Sequence, residues 1–472
     1  MSRSAFHRRS SLVTSCTFAL VASCGGGGAI EPDAGTDAVS IDSANLDVDA
    51  ATDAMPDAPT PPGIADISVA GAGTSNQARQ GAGTIRLAIS GTGLVGATTV
   101  NVGEWTATIV AGGSDQQLLA EVSIPHGVSL GFRTVTVTTP GGTDALANAV
   151  AITEITSSPS GSDTGGLGTP DAPFATATRA LSVAGSQFGQ PADTVRLMAG
   201  AYGSLETWPL RPAPGVIVRG DATGSTILQG SGMGQSSGQI ALMADQSTIQ
   251  DLSVQDFFIC TVSYGASFAR VHFERCTSAM QMSGASLVED VSIVESWTGL
   301  EWRSDTNGAQ VVVRRLTVIA PSNDAQGWAG IRLTGGSGTG ALGSVVVQDS
   351  RVEDIGGWNQ GTGIMAWPTN GNNFSLRVRG TTVVAQSGVQ LLGEPAEIDF
   401  GQASSNGNNT IRCSATGSCV ADQRPARAVA DGVVWTLTGT TLNGMAFSSA
   451  TVVGPAFLSP YYSASANNRL SF

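Results

Sequence analysis

Residues 247–254 read STIQDLSV, and five later stretches can be laid over them: SFARVHF (267–273), LVEDVSI (287–293), VVVRRLTV (311–318), VVVQDSRV (345–352) and LRVRGTTV (376–383). The first shared apolar position falls at Ile249, Phe268, Val288, Val313, Val347 and Val378. The third residue on is Leu252, Val271, Val291, Leu316, Ser350 and Thr381, and the fifth is Val254, Phe273, Ile293, Val318, Val352 and Val383. The steps are uneven, from about 19 to about 34 residues. A second column follows each repeat, reading Met280–Met282, Leu300–Trp302, Ile331–Leu333, Ile364–Ala366 and Val389–Leu391, and a Gly precedes it in four cases of five. Apolar–polar–apolar triplets at strand spacing present one face of a sheet, so each repeat carries two short strands joined by a turn. One repeat cannot bury its own apolar face, and the repeats must stack into a continuous core. The pattern predicts an all-β chain built on a parallel β-helix.

Composition narrows the functions. The chain has 472 residues, too many for one core. Its 23 basic residues are all Arg and its net charge is −14. That balance argues against nucleic acid as a partner, because phosphate contacts need clustered cations. His occurs only at positions 7, 126 and 272, which excludes a multi-His metal site. No metal or other cofactor is called for.

The first residues are an address. Arg3, Arg8 and Arg9 precede a short apolar run over 11–23, too short to span a bilayer. It ends in Val21-Ala22-Ser23-Cys24, which resembles the lipobox of bacterial lipoproteins. The resemblance implies a signal peptide over 1–23, cleavage before Cys24 and lipidation of its thiol. The alternatives are an ordinary secretory signal and a second site at Cys16, whose preceding apolar run is shorter. Each places the mature chain outside the cytoplasm, and the lipobox anchors it to the envelope, at the outer membrane or cell surface. Residues 24–62 follow as a Gly/Ala/Asp/Pro-rich tether whose acids, Glu31 to Asp57, have no base among them. Such a segment buries too little apolar surface to offset its chain entropy.

Residues 63–154 read as a small β domain of alternating strands between Gly-rich turns. Ser90-Gly91-Thr92-Gly93-Leu94, Ile124-Pro125-His126-Gly127 and Val135-Thr136-Val137-Thr138-Thr139-Pro140-Gly141-Gly142 resemble the immunoglobulin-like IPT/TIG β-sandwich. The resemblance implies a spacer or interaction module, with His126 in a turn. From Gly161 the texture changes. A helical period at Phe174, Ala177, Leu181 and Ala184 leads into Thr194–Leu197, Ala199-Gly200-Ala201-Tyr202, Glu206-Thr207-Trp208-Pro209-Leu210 and Gly215–Gly220. This order resembles an uncharacterised bacterial branch of the pectin-lyase-like right-handed β-helices. The resemblance implies that the helix caps the open end of a β-helix running over 161–472 with its C-terminal tail. Cys413 and Cys419 are expected to close a disulfide in an oxidising compartment. Cys260 and Cys276 fall near one turn of neighbouring coils, either as a second disulfide or as two buried thiols.

Two constellations compete for chemistry. Two residues past the first apolar position stands Asp251, Arg270, Asp290, Arg315, Asp349. Stacked coils lie about 4.8 Å apart, so each acid has an Arg above or below it and stays ionised. That favours an ion-pair ladder over the unequal carboxylate pair of a glycosidase. Polygalacturonase-like and pectate-lyase-like sets cannot be carried over: the chain lacks Lys, a Gly-His-Gly and an acid cluster, and Arg332 near Glu301 is the nearest approach. The other constellation is aromatic. Trp297, Trp302, Trp328, Trp358 and Trp367 fall within 71 residues, beside loops supplying Asp305, Asn307, Asn323, Asp324, Gln326, Asn359, Gln360 and Asn370. Trp297 and Trp328 share a register position. They form either a stacked platform for sugar rings or the corner filling of a tapering core.

The leading expectation is a monomeric surface lipoprotein whose β-helix binds extracellular or cell-wall glycan without catalysis. Trp297, Trp328, Trp358, Asp324, Asn359, Glu301 and Arg332 are its candidate contacts. A polysaccharide lyase or hydrolase acting from the long-loop face is the alternative, and a structural or adhesive protein with no site is the third.

Overall fold

The computed structural model describes residues 59–71, 75–110, 113–186, 191–234, 238–304, 308–322, 327–335, 342–354, 361–367, 373–392, 397–401, 407–413 and 419–422. Beyond these it describes 435–436, 440–442, 445–446 and 462–464. Cys24 and nearly all of the expected tether lie outside the described residues. The fold is all-β: a right-handed parallel β-helix preceded by an immunoglobulin-like sandwich, with one short helix among the described residues, after the first rung of the β-helix.

The aligned repeats stack as the sequence spacing predicts. Ile249, Phe268, Val288, Val313, Val347 and Val378 are partners from coil to coil, and so are Val254, Phe273, Ile293, Val318, Val352 and Val383. Members of both columns are at most 1 % exposed. In the last four of the six repeats the expected two strands become three, because the aligned stretch breaks where the backbone bends. In one coil the strands are Ser286–Glu289, Ser292–Val294 and Thr298–Ser304. Asp251, Arg270, Asp290, Arg315, Asp349 and Gly380 occupy the bend with φ of 49–60°. This left-handed corner reverses the alternation, so that Val288 and Val291, three apart, both point inward.

The column led by Leu252 changes character along the stack. It is apolar through Leu316 and then continues as Ser350, Thr381, Asn409 and Thr440, all buried. The Ser350 Oγ accepts from the Leu316 N–H (3.2 Å), the Thr381 Oγ1 from the Ser350 N–H (3.4 Å) and the Asn409 Oδ1 from the Thr381 N–H (3.0 Å). The Asn409 Nδ2 then donates to the Thr440 Oγ1. Polar side chains are thus tolerated inside because each satisfies the backbone of the coil before it.

Glycine sets the thickness of the coil. A Cβ at Gly299, Gly330, Gly363 or Gly388 would lie 2.2–2.8 Å from a methyl of Val318, Val352, Val383 or Ile411 across the core. Two disulfides, Cys260–Cys276 between consecutive coils and Cys413–Cys419, tie the structure covalently.

The first rung of the β-helix is Ile155–Ser157, paired in parallel with Thr194–Leu197, so it begins ahead of the expected 161. The helix Ala177–Val183 buries Ala177, Ala180 and Leu181 against it. Thr176 caps the helix, and the Glu206 carboxylate accepts from the N–H groups of Ala177 and Thr178 (both 2.8 Å). Tyr202 is buried with its hydroxyl donating to Ser157 O, so the motif residues at 202 and 206 hold the capped end together.

In the sandwich, strands run in the order Gly63–Val69, Gly83–Thr92, Gln117–Ile124, Trp105–Val110, Thr99–Val102, Gly131–Thr139, Gly142–Thr153, Gln77–Arg79. One end abuts the β-helix. There the buried Asp193 accepts from the N–H groups of Gly127 and Gly185 and bonds the His126 Nδ1. Gln80 donates to Val128 O and accepts from the Thr194 N–H. The other end meets the incoming chain, where the carbonyls of Pro59 and Thr60 lie against Gly141. The strand Gly131–Thr139 separates the two ends by about 27 Å.

Candidate functional site

The third strand of each coil builds a nine-stranded parallel sheet with one face turned outward. Inward columns alternate with outward ones. Leu300, Ile331 and Ile364 with Trp302, Leu333 and Ala366 fill the core. One outward column reads Val262, Gln281, Glu301, Arg332, Met365, Gln390, and the next reads Tyr264, Ser283, Arg303, Thr334, Trp367.

Glu301 and Arg332 are register partners on adjoining strands, but the ion pair forms elsewhere. Glu301 is 7 % exposed, and its Oε1 accepts from the Arg303 Nε at 3.0 Å. The Arg332 Nε is buried with no hydrogen-bond partner among the described residues. Glu301 is the one carboxylate among the described residues of these two columns, so they offer no pair of acids for general acid–base work. Among the described residues no three His, Cys, Asp or Glu side chains gather as a metal site.

Of the two readings of Trp297 and Trp328, the stacked platform is not formed and Trp328 fills the core. Trp328 is 1 % exposed and belongs to the core, whereas Trp297 is 38 % exposed. The difference lies in the next coil. Trp328 is followed in register by Gly361, and its ring sits close to Gly330 and Gly361, where an added Cβ would come within 3.0 Å. Trp297 is followed by Trp328 itself, so no such space is left for it. Trp328 is therefore withdrawn as a sugar contact, since a buried indole cannot stack on a ligand. Its Nε1 is buried with no hydrogen-bond partner among the described residues. Trp302 is also core, donating to Gly284 O at 3.1 Å and standing edge-on to Phe374. Gly361 was present in the sequence as the signal for this inward turn.

Trp367 is 44 % exposed at the end of its strand, and Tyr264, which the sequence reading did not single out, is 41 % exposed in the same column. Trp358, Asp324 and Asn359 lie outside the described residues, as do Asp305, Asn307, Asn323, Gln326, Gln360 and Asn370.

The charged corner is a ladder of ion pairs. Arg270 grips Asp251, and Arg315 grips Asp290 and Glu289, each across one coil step. A second left-handed corner five residues on carries Asp256 and Arg275, paired through two bonds of 2.7 and 2.8 Å. The Arg275 hydrogen bonds hold the Asp256 carboxyl below its ordinary pKa, against the opposing effect of burial. Arg315 does the same for Asp290. These acids are committed as structural anions, which leaves the outer sheet face as the candidate site.

Comparison with solved structures finds the chain similar to pectate lyase Pel9A, at 11 % identity and a TM-score of 0.36, covering 64 % of this chain and 82 % of that one. It is similar to the catalytic unit of a thermostable GH87 α-1,3-glucanase from Streptomyces thermodiastaticus strain HF3-3, at 13 % identity and a TM-score of 0.34, covering 83 % and 90 %. It is also similar to the A-module of the Azotobacter vinelandii mannuronan C-5 epimerase AlgE4, at 13 % identity and a TM-score of 0.23, covering 58 % and 91 %. No family model matches the chain, and no curated protein matches it.

Proposed function

We propose that this chain is an exported lipoprotein, anchored through Cys24, whose IPT/TIG-like sandwich holds a glycan-binding β-helix away from the membrane. The observation that carries the glycan reading is the exposure of Trp367 on a sheet face that presents the amides of Gln281 and Gln390, the hydroxyls of Ser283 and Thr334 and the Glu301–Arg303 pair, with Trp297 exposed immediately before one of its strands. An indole exposed among polar groups suits a sugar, which is apolar on its ring faces and hydroxylated at its rim. The reading is non-catalytic because the described residues of the two outward columns present a single carboxylate, Glu301, engaged by Arg303. The anchored reading draws support from the sandwich, whose incoming chain enters at the end away from the β-helix. Two disulfides in the described residues suit an oxidising compartment outside the cytoplasm.

The test is a double variant, Trp297→Ala/Trp367→Ala, assayed for retention on insoluble polysaccharides and for melting temperature. The expected result is lost retention with stability within about 0.5 kcal/mol of the native chain, as for surface changes. Trp328→Ala serves as contrast and should cost about 3–5 kcal/mol by opening a cavity. Unchanged retention in the double variant contradicts the reading.

A further inference from the structure

The glycan reading does not say which way a ligand lies, and the register of the nine-stranded sheet supplies a direction. Tyr264, Ser283, Arg303, Thr334 and Trp367 are successive partners in one outward column, on five consecutive strands. Its two aromatic members stand at the ends, and both are about two-fifths exposed. Four strand spacings separate them, about 19 Å along the β-helix axis. Between them lie two hydroxyls and a guanidinium. The Arg303 charge is balanced by Glu301 in the neighbouring column. Gln281 adds an amide in that column, one strand before Glu301.

Tyr264 is also positioned. Its ring edge lies over Gly284 of the following coil, where an added Cβ would come within 3.2 Å of Cε2. The Gly284 carbonyl is in turn fixed by the Trp302 indole N–H. The platform at this end is thus set by the backbone beneath it, which lowers the cost of ordering it on binding.

We infer that Tyr264 and Trp367 are the two end platforms of a lengthwise subsite for a linear, uncharged polysaccharide running parallel to the β-helix axis. The strip between them is rich in donors and acceptors, which complements a chain of hydroxyls, and beyond the Glu301–Arg303 pair its neighbouring column adds a single cation, Arg332, where a polyanion needs several. An aromatic at each end makes the subsite a ruler. An oligosaccharide shorter than about 19 Å can stack on one ring only, and a longer one engages both. Trp297 lies off this column, immediately before its strand, and takes no part in the length measurement.

This inference rests on the glycan-binding reading, and its test separates the two. Cello-, chito- and malto-oligosaccharides, from the dimer to the octamer, are titrated calorimetrically against the full chain and against Tyr264→Ala, Trp367→Ala and Trp297→Ala. The expected result is a step in affinity of about tenfold once one series becomes long enough to reach both rings. Either Tyr264→Ala or Trp367→Ala removes the step, leaving long oligomers no tighter than short ones, while Trp297→Ala keeps it. Melting curves of the variants, unchanged from the native chain, exclude misfolding as the cause. Binding without a length step, or a step that survives Tyr264→Ala, overturns the lengthwise subsite and leaves the glycan reading standing. Failure of all three series to bind the native chain overturns both.

Discussion

The chain's most informative residues are the ones that break its pattern. Asp251, Arg270, Asp290, Arg315 and Asp349 were legible as a charged column, and the structure pairs the first four as an ion ladder. Their left-handed backbone was not legible, because residues other than Gly and Asn rarely adopt it and an Arg gives no hint of it. Trp328 is a similar case. Its inward turn depends on Gly361 in the following coil, a partner that becomes adjacent only once the coils are stacked. The ladder has a consequence for pH. The folded-state pKa of Asp256 lies below its unfolded value, so its pairing with Arg275 stabilises the fold above about pH 3.9. That contribution is lost as pH falls through the lower folded-state value. The melting temperature should therefore fall on acidification below about pH 4, and Asp256→Asn should fall less steeply than the native chain. Parallel melting-versus-pH curves for the two proteins would contradict this assignment.

At the scale of elements, hydrophobic spacing placed all three buried columns in their observed register, because an inward position tolerates little besides an apolar side chain. The number of strands was misjudged. A three-residue spacing between apolar positions reads as one irregular strand until the corner at the charged residue is known. The polar end of the Leu252 column was visible as Ser350 and Thr381, but its hydrogen-bonding logic requires the neighbouring coil. The Gly before each third strand was visible too, and its cause is the opposed Val column. Gly363→Ala would drive a methyl into Val383 and should cost about 1–3 kcal/mol. Combining it with Val383→Ala should cost less than the two single changes added together, since the second change removes the atom that clashes. Denaturant unfolding of the four proteins measures the coupling. Strict additivity would mean that the close approach does not set the coil's thickness.

On the scale of the whole molecule, the sandwich and the β-helix meet through groups far apart in sequence. Asp193 serves Gly127, His126 and Gly185 at once, and Gln80 bridges Val128 and Thr194. The sequence showed His126 only as a turn residue, because its partner stands 67 positions away. The order of hairpin-rich segment and coils, by contrast, followed from texture alone, and an apolar start and an acidic tether are expected ahead of them. That order carries the anchoring proposal, for which Cys24→Ser should shift the protein from the detergent phase to the aqueous phase. Identical partitioning of the two forms would contradict lipidation at Cys24. The central claim, that the outer sheet face is a glycan-binding surface, meets its most direct test on a glycan array. The account predicts that the full chain is retained by at least one linear polysaccharide and that Trp297→Ala/Trp367→Ala, equally stable, is not. Retention by no glycan, or equal retention of both proteins, would contradict it.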